Sequence, residues 1–264
     1  MKNLWENTSK EQELFPATPE NQTADLLIIG GGFTGCSAAL EAAKQSASVV
    51  LIECEKIGFG GSGRNVGLVN AGLWLPPKKI NSILGKKQGE ALISSLGSAP
   101  DLVYSIIDEN EIDCDPKRNG TLHCAHSEKG MEYLIERLKQ GQEYGEPLAL
   151  FDKSETQNRI GSSKFFGSLH DPRAGTIQPL AYCRGLARKA KELGAKIYEK
   201  SKVAHIKRQN GMWHANVKNV VIKSKYLLLA MNAYQDLGKE QNTGKFTTVY
   251  YSQFATRPLN SNEM

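Results

Sequence analysis

The segment that most constrains the fold is an apolar run, Ala24-Asp25-Leu26-Leu27-Ile28-Ile29, that passes without a break into Gly30-Gly31-Gly32-Phe33-Thr34-Gly35. An Ala- and Leu-rich stretch follows from about Thr34 to Gln45, then a second apolar run, Ser48-Val49-Val50-Leu51-Ile52, closed by Glu53. Strand, glycine turn, helix, strand and terminal acid thus arrive in order over about 30 residues, the length of one βαβ unit. In a G-x-G-x-x-G turn the first glycine, Gly30, makes the bend. Gly32 lets backbone N–H groups approach a pyrophosphate with no Cβ in the way, and Gly35 lets the helix lie close on the strand. The helix N-terminal amides and positive dipole end then face phosphate. Glu53 can accept hydrogen bonds from a ribose diol. A glycine-dense window alone is weak, since the chain holds 25 glycines in 264 residues, and Glu53 alone would read as a solvated strand end. The order and register of the pieces favour a bound dinucleotide.

A second glycine-rich loop follows at once: Ile57-Gly58-Phe59-Gly60-Gly61-Ser62-Gly63-Arg64-Asn65-Val66-Gly67-Leu68-Val69-Asn70. Its glycines allow close backbone approach, Ser62 and Asn65 offer short polar groups, and Arg64 offers a positive charge. A simple nicotinamide-binding unit does not need such a loop directly after the ribose acid, whereas a flavin nucleotide has a longer phosphate and ribityl arm to hold. The residues therefore favour FAD over NAD. A flexible surface loop is the bland alternative, and an NAD-dependent dehydrogenase would need a nicotinamide pocket that the sequence does not show.

The chain resembles the FAD-dependent amine and amino-acid oxidoreductases of the D-amino-acid oxidase superfamily, and within it the branch containing γ-glutamylputrescine oxidase. The resemblance rests on Leu4-Trp5, on both glycine loops, on Gly175-Thr176-Ile177-Gln178-Pro179 and on Leu229-Ala230-Met231-Asn232-Ala233-Tyr234. It implies an α/β fold: a glutathione-reductase-like FAD-binding Rossmann domain with an α+β substrate domain threaded through it. It also implies a cofactor site built from Gly30, Gly32, Phe33, Thr34 and Gly35 at the pyrophosphate and Glu53 at the adenosine ribose. Gly61, Ser62, Arg64, Asn65, Gly67 and Leu68 would follow the pyrophosphate and flavin, Val203 the adenine, and Ala230 the strand returning under the FAD. The implied reaction oxidises the C–N bond of a small amine or amino acid by hydride transfer to flavin N5. Gly61, Val66 and Met231 depart from the usual residues of the family, and Val66, β-branched inside a flavin-side loop, restricts backbone and volume together.

Members of the family usually run well past 350 residues, so the resemblance implies that a C-terminal part is lacking. With it go the usual substrate-binding side chains, and no catalytic residue can be assigned. We expect an N-terminal arm over 1–23, a discontinuous FAD-binding domain over 24–111 and 172–240, and a partial substrate domain over 112–171 and 241–264. Two readings of the whole follow: an oxidoreductase completed by a second chain, or a truncated FAD-binding remnant or split subunit without activity of its own.

Composition narrows the classes. Forty per cent hydrophobic residues suffice for a core, and the formal charge of +5 comes without a long basic run or interleaved aromatics, which argues against nucleic acid. Cysteines 36, 54, 114, 124 and 183 show no C-x-x-C and read as free buried thiols, and no His spacing suggests a metal. No stretch is apolar enough to span a membrane, and no secretory signal is visible in the first 23 residues, so a cytoplasmic location is expected.

Further along, Leu102, Val103, Ile106 and Ile107 recur at helical spacing with Ser98 as cap. Gly120 to Ala125 reads as a strand, and Met131, Leu134, Ile135 and Leu138 mark a helix ending near Gly141. Ser154-Glu155-Thr156-Gln157 fits a capping box. A helix from Pro179 to Leu193 is closed by Gly194, strands follow at 203–208 and 212–217 across Asn210-Gly211, and a last apolar strand spans Tyr226 to Ala230. Tyr250 to Asn260 resembles one more strand.

Overall fold

The computed structural model describes residues 3–17, 19–234, 249 and 252–261. In chain order its elements are α1 (Leu4–Thr8), β1 (Gln22–Ile29), α2 (Phe33–Lys44), β2 (Val49–Ile52), β3 (Leu68–Val69), α3 (Pro77–Leu84), α4 (Lys86–Gly97), α5 (Ala99–Glu109), β4 (Thr121–Ala125), α6 (Glu128–Glu143), β5 (Ala149–Phe151), α7 (Lys153–Ile160), β6 (Gly167–Asp171), β7 (Gly175–Thr176), α8 (Pro179–Glu192), β8 (Lys196–Tyr198), β9 (Val203–Gln209), β10 (Met212–Val217) and β11 (Val220–Leu229). They form two compact units. The first comprises Met1–Val66, Asn110–Cys114 and Gln178–Met264, the second Gly67–Glu109 and Asp115–Ile177.

The first unit is built on a six-stranded sheet in the order β8-β2-β1-β11-β10-β9. The first four strands run parallel, and β10 and β9 extend the sheet as antiparallel neighbours. A parallel strand covered on both faces reads as a continuous apolar run. Accordingly Leu27, Ile28 and all four residues of β2 are buried. Small residues let helices lie close to one another and to the sheet: Cys36, Ala39 and Ala43 on α2 and Cys183, Ala187 and Ala190 on α8 are all buried. Leu27, Ile29, Val50, Ile52, Ile206 and Ile222 form one apolar cluster. The α8 helix starts at Pro179, whose missing N–H is no loss in a first turn, and the Gln178 side chain caps it by accepting the Ala181 N–H at 2.7 Å.

The N-terminal arm is tied to this unit. Arg188 grips the buried Glu11 carboxylate through two nitrogens at 2.9 and 3.0 Å, the Asp113 N–H donates to the same carboxylate, and Lys191 pairs with Glu13. The Pro16 carbonyl accepts the Glu199 N–H.

In the second unit, β4-β6-β5 form an antiparallel sheet. Leu134 of α6 packs there with Ala125 and Leu169, joined by Met131 and Leu138. Buried Glu146 holds Arg137 at 2.8 Å and Arg173 at 3.4 Å, and Arg173 also grips Asp171 at 2.7 Å.

The expected α/β Rossmann architecture is present, with differences of detail. Residues 67–109, expected with the nucleotide domain, fold with the second unit. There α3 docks beside α6, with the Lys78 N–H on Gln140 and the Asn81 amide on the Tyr144 hydroxyl. Ser98 closes α4 rather than capping α5: its hydroxyl donates back to the Ser94 and Ser95 carbonyls. Asp152, not Ser154, caps α7, because the helix begins two residues earlier and the Asp152 carboxylate accepts the Glu155 N–H. The strand expected from Tyr226 begins at Val220, where buried Ile222 and Ser224 alternate with exposed Lys223 and Lys225. Cys54 is exposed, and Cys124 half-buried, so burial holds for Cys36, Cys114 and Cys183. Tyr250 and Tyr251 lie outside the described residues, and 252–260 carry no strand.

Candidate functional site

The site grows from the turn between β1 and α2. Gly30 has φ +111°, a conformation L side chains rarely adopt, and a Cβ there would stand 2.5 Å from the Ala230 carbonyl oxygen. Its N–H binds the Ile52 carbonyl, and the Ala230 N–H binds that of Ile29. The turn is therefore pinned between two neighbouring strands. A Cβ on Gly35 would overlap the Gly30 carbonyl oxygen, so only glycine lets α2 begin this close to the strand. Gly32 precedes the helix with no side-chain cap. Helix geometry leaves the Thr34 and Gly35 N–H groups without intrahelical acceptors, and the Phe33 N–H is met by the Ser62 hydroxyl at 2.9 Å. A cluster of N–H donors at the positive end of a twelve-residue helix is suited to phosphate.

Glu53 leaves the end of β2 and accepts two backbone N–H groups, Gly31 at 2.7 Å and Glu55 at 2.8 Å. Beside it, buried Glu199 accepts the Ile57 N–H at 2.7 Å. Burial pushes the Glu199 carboxyl above its ordinary value, against the opposing effect of that hydrogen bond. The second glycine loop turns through a short 3-10 segment, Gly61–Gly63. Asn65 closes it by donating to the Gly61 and Ser62 carbonyls at 3.1 and 2.9 Å. Beneath the turn the Cys183 thiol points at the Gly31 carbonyl, 3.4 Å away, and its sulfur lies 3.9 Å from that of Cys36. The contact with Cys183, and then burial, push the Cys36 thiol well up. Phe33 meets Tyr182 edge to face at 5.6 Å, and burial pushes the Tyr182 phenol up to about 12.

These parts enclose a cavity of about 950 Å³ within the first unit, at the upper end of the roughly 300–1,000 Å³ typical of cofactor sites. Gly30, Gly32, Phe33, Thr34, Glu53, Gly61, Ser62, Val203 and Ala230 all line it. Gly35 stands behind the wall as packing. Arg64 and Asn65 do not line it: the Arg64 guanidinium sits 4.2 Å over the Phe59 ring, and Asn65 braces the loop. Gly67 and Leu68 belong to the second unit. The lining also includes Gly31, Phe59, Lys202 and Tyr234, which sequence reasoning passed over. Gly31 carried a signal, since a third glycine inside G-x-G permits the close approach of Ile57 and Glu53 that a Cβ would meet. Lys202 carried none beyond its proximity to Val203, whereas Tyr234 closes the Leu229–Tyr234 segment that carries the resemblance. The cradle fits a dinucleotide: a Cβ on Gly32 would intrude to 2.8 Å from the Ser62 hydroxyl, in the space above the helix donors.

Among the described residues no group of His, Cys, Asp or Glu side chains could hold a metal, and no helix is long and apolar enough to cross a membrane.

Comparison with known proteins agrees with this geometry. A family model described as FAD dependent oxidoreductase matches residues 25–263. The probable oxidoreductase OrdL of Haemophilus influenzae is 33% identical over 258 residues, 95% of this chain and 60% of that protein. Gamma-glutamylputrescine oxidoreductase of Escherichia coli is 32% identical over 221 residues, 83% of this chain and 51% of that protein. Among solved structures, glycine oxidase from Geobacillus kaustophilus superposes with a TM-score of 0.69 at 20% identity, over 80% of this chain and 56% of that one, a likeness of fold. The chain thus spans between half and two thirds of the length of these relatives. With the pinned glycine turn, the cavity above it and a family match over nearly the whole sequence, the chain belongs to the FAD dependent oxidoreductase family.

Proposed function

We propose that this chain binds FAD in the cavity above the Gly30–Gly35 turn and serves the oxidation of a C–N bond in a small amine or amino acid. The observation that carries the reading is the turn itself, whose uncapped helix start faces a cavity of cofactor size. Gamma-glutamylputrescine oxidoreductase and glycine oxidase, by their names, act on an amine and an amino acid, which supports that substrate class.

In this reading the Thr34 N–H and the Ser62 hydroxyl, both at the cavity wall, receive the pyrophosphate, and Gly32 supplies the space for it. Glu53 holds the adenosine ribose with the carboxylate that also fixes the Gly31 and Glu55 amides. Val203, at the start of β9, offers its main chain to the adenine edge, and Ala230 walls the turn from below. When bound, FAD would supply the two-electron oxidation of the substrate's C–N bond, held in place by the start of α2, Ser62 and Glu53. The chain's share is to bind, orient and exclude water.

The test is the visible spectrum of the purified protein, followed by FAD titration. Flavin bands near about 375 and 450 nm, with saturable binding, are expected, and an amine and amino-acid screen with an artificial electron acceptor follows. Failure to bind FAD at saturating concentration would overturn the assignment.

A further inference from the structure

The second glycine loop is held from outside by a residue far away in sequence. The Trp5 indole N–H donates to the Asn65 carbonyl at 2.9 Å. Asn65 in turn donates from its side-chain amide to the Gly61 and Ser62 carbonyls, and the Ser62 hydroxyl accepts the Phe33 N–H at the first turn of α2. On its other side the Trp5 carbonyl accepts the Gln178 amide at 2.7 Å, while the same Gln178 caps α8 through its oxygen. Trp5 is itself fixed by a short helix closed with a capping box, Asn3 and Glu6 each meeting the other's backbone N–H. A series of hydrogen bonds therefore runs from the start of α8, through Trp5 and Asn65, to the backbone of Ser62, whose hydroxyl stands at the cavity wall.

We propose that Trp5 is a positioning residue for the cofactor cradle, acting through Asn65 on the placement of Ser62 against the start of α2. The proposal rests on the reading of the cavity as the FAD site. Trp5 does not line the cavity. Its effect is to fix the loop before the cofactor arrives, so that the ordering of Gly61–Gly63 is not drawn from binding energy. Isolated glycine-rich backbone has many conformations to lose, which is why an external tether is effective here.

The test uses the full chain and FAD titration followed by flavin absorbance, with thermal unfolding of the FAD-free protein in parallel. Trp5→Phe keeps an aromatic ring and removes the N–H donor. It is expected to raise the FAD dissociation constant roughly three- to tenfold, the effect of one lost hydrogen bond. In a Ser62→Ala background the same substitution should change affinity by less than about twofold, because the far end of the relay is already gone. Asn65→Ala, which cuts the relay inside the loop, provides the same readout if Trp5→Phe does not fold. Unchanged FAD affinity in a folded Trp5→Phe protein would overturn the positioning role alone. Equal losses with and without Ser62, accompanied by a lower melting temperature, would reduce Trp5 to a merely structural residue and overturn it too. A parent protein that binds no FAD would sink the cofactor reading and this proposal together.

Discussion

The Glu53 carboxylate accepts the Gly31 N–H at 2.7 Å, so the acid at the end of β2 and the middle glycine of the turn after β1 are held as one rigid piece. Its second oxygen takes the Glu55 N–H, and the bend into the second loop is fixed by the same side chain.

Glu53→Gln keeps one acceptor oxygen and turns an amide NH2 toward a backbone donor. Affinity for FAD is expected to fall by about tenfold, the scale of a hydrogen bond to a charged group. ADP should lose as much as FAD, since the ribose in question belongs to adenosine. Calorimetric titration with both ligands decides it, and a loss confined to FAD would move Glu53 away from the adenosine end.

Two glycines of the turn should separate folding from binding. Gly35→Ala places a methyl on the Gly30 carbonyl oxygen, where backbone meets backbone and cannot yield, and is expected to cost about 3 kcal/mol or more in urea unfolding. Gly32→Ala meets only the Ser62 side chain and no backbone and should cost about 1 kcal/mol or less. Its damage should appear as lost FAD affinity, with the methyl in the phosphate space. If Gly32→Ala binds FAD as the parent does, the phosphate lies elsewhere.

The tie between arm and α8 is a buried charge pair, with the Glu11 side chain 7% exposed. Hydrogen bonding to Glu11 pushes the Arg188 guanidinium further up from an already high value. Arg188→Met leaves Glu11 charged and enclosed, and a loss of about 3 kcal/mol is expected. Adding Glu11→Met should restore most of it, as measured by the urea midpoint of single and double variants. A double variant as weak as the single would show that packing, not the stranded charge, sets the loss.

Glu199 gives a pH dependence of definite sign. Its folded-state value lies above the ordinary 4.5 because the group is buried. The protonated form is therefore favoured by folding, the contribution to stability is complete below about pH 4.5, and it is lost as pH rises through the raised folded value. Glu199→Gln cannot titrate. The stability difference between parent and variant should shift in the variant's favour between pH 4.5 and pH 7, and a difference that stays flat across that window would contradict the assignment.

Local pattern made much of this legible. The unbroken apolar runs of β1 and β2 announced strands buried on both faces, and the spacing of Gly30, Gly32 and Gly35 announced the turn, because each of these features acts within a few residues. The cap of α7 was misplaced by two residues, since Asp152 and Ser154 are both competent caps and only the helix start chooses between them. Arg64, expected along the pyrophosphate and flavin, stacks on Phe59, a neighbour five positions back that the sequence does not single out as its partner. What sequence could not reveal are relations across long separations: Trp5 with Asn65, Glu11 with Arg188, Glu199 with Ile57.

The pairing of β1 with β11 matches Leu26 to Tyr226 and Ile29 to Leu229, and the Lys225–Asp25 ion pair beside it closes a span of 200 residues. During synthesis β1 leaves the ribosome before the strand that pairs with it, and the carbonyl that walls the Gly30 turn, that of Ala230, follows about 200 residues later. Contacts of such separation carry a large loop-closure entropy and form slowly. The nucleotide cradle, written first in the sequence, is thus completed late in folding, and until then its edge is open to chaperones or to mispairing with another chain.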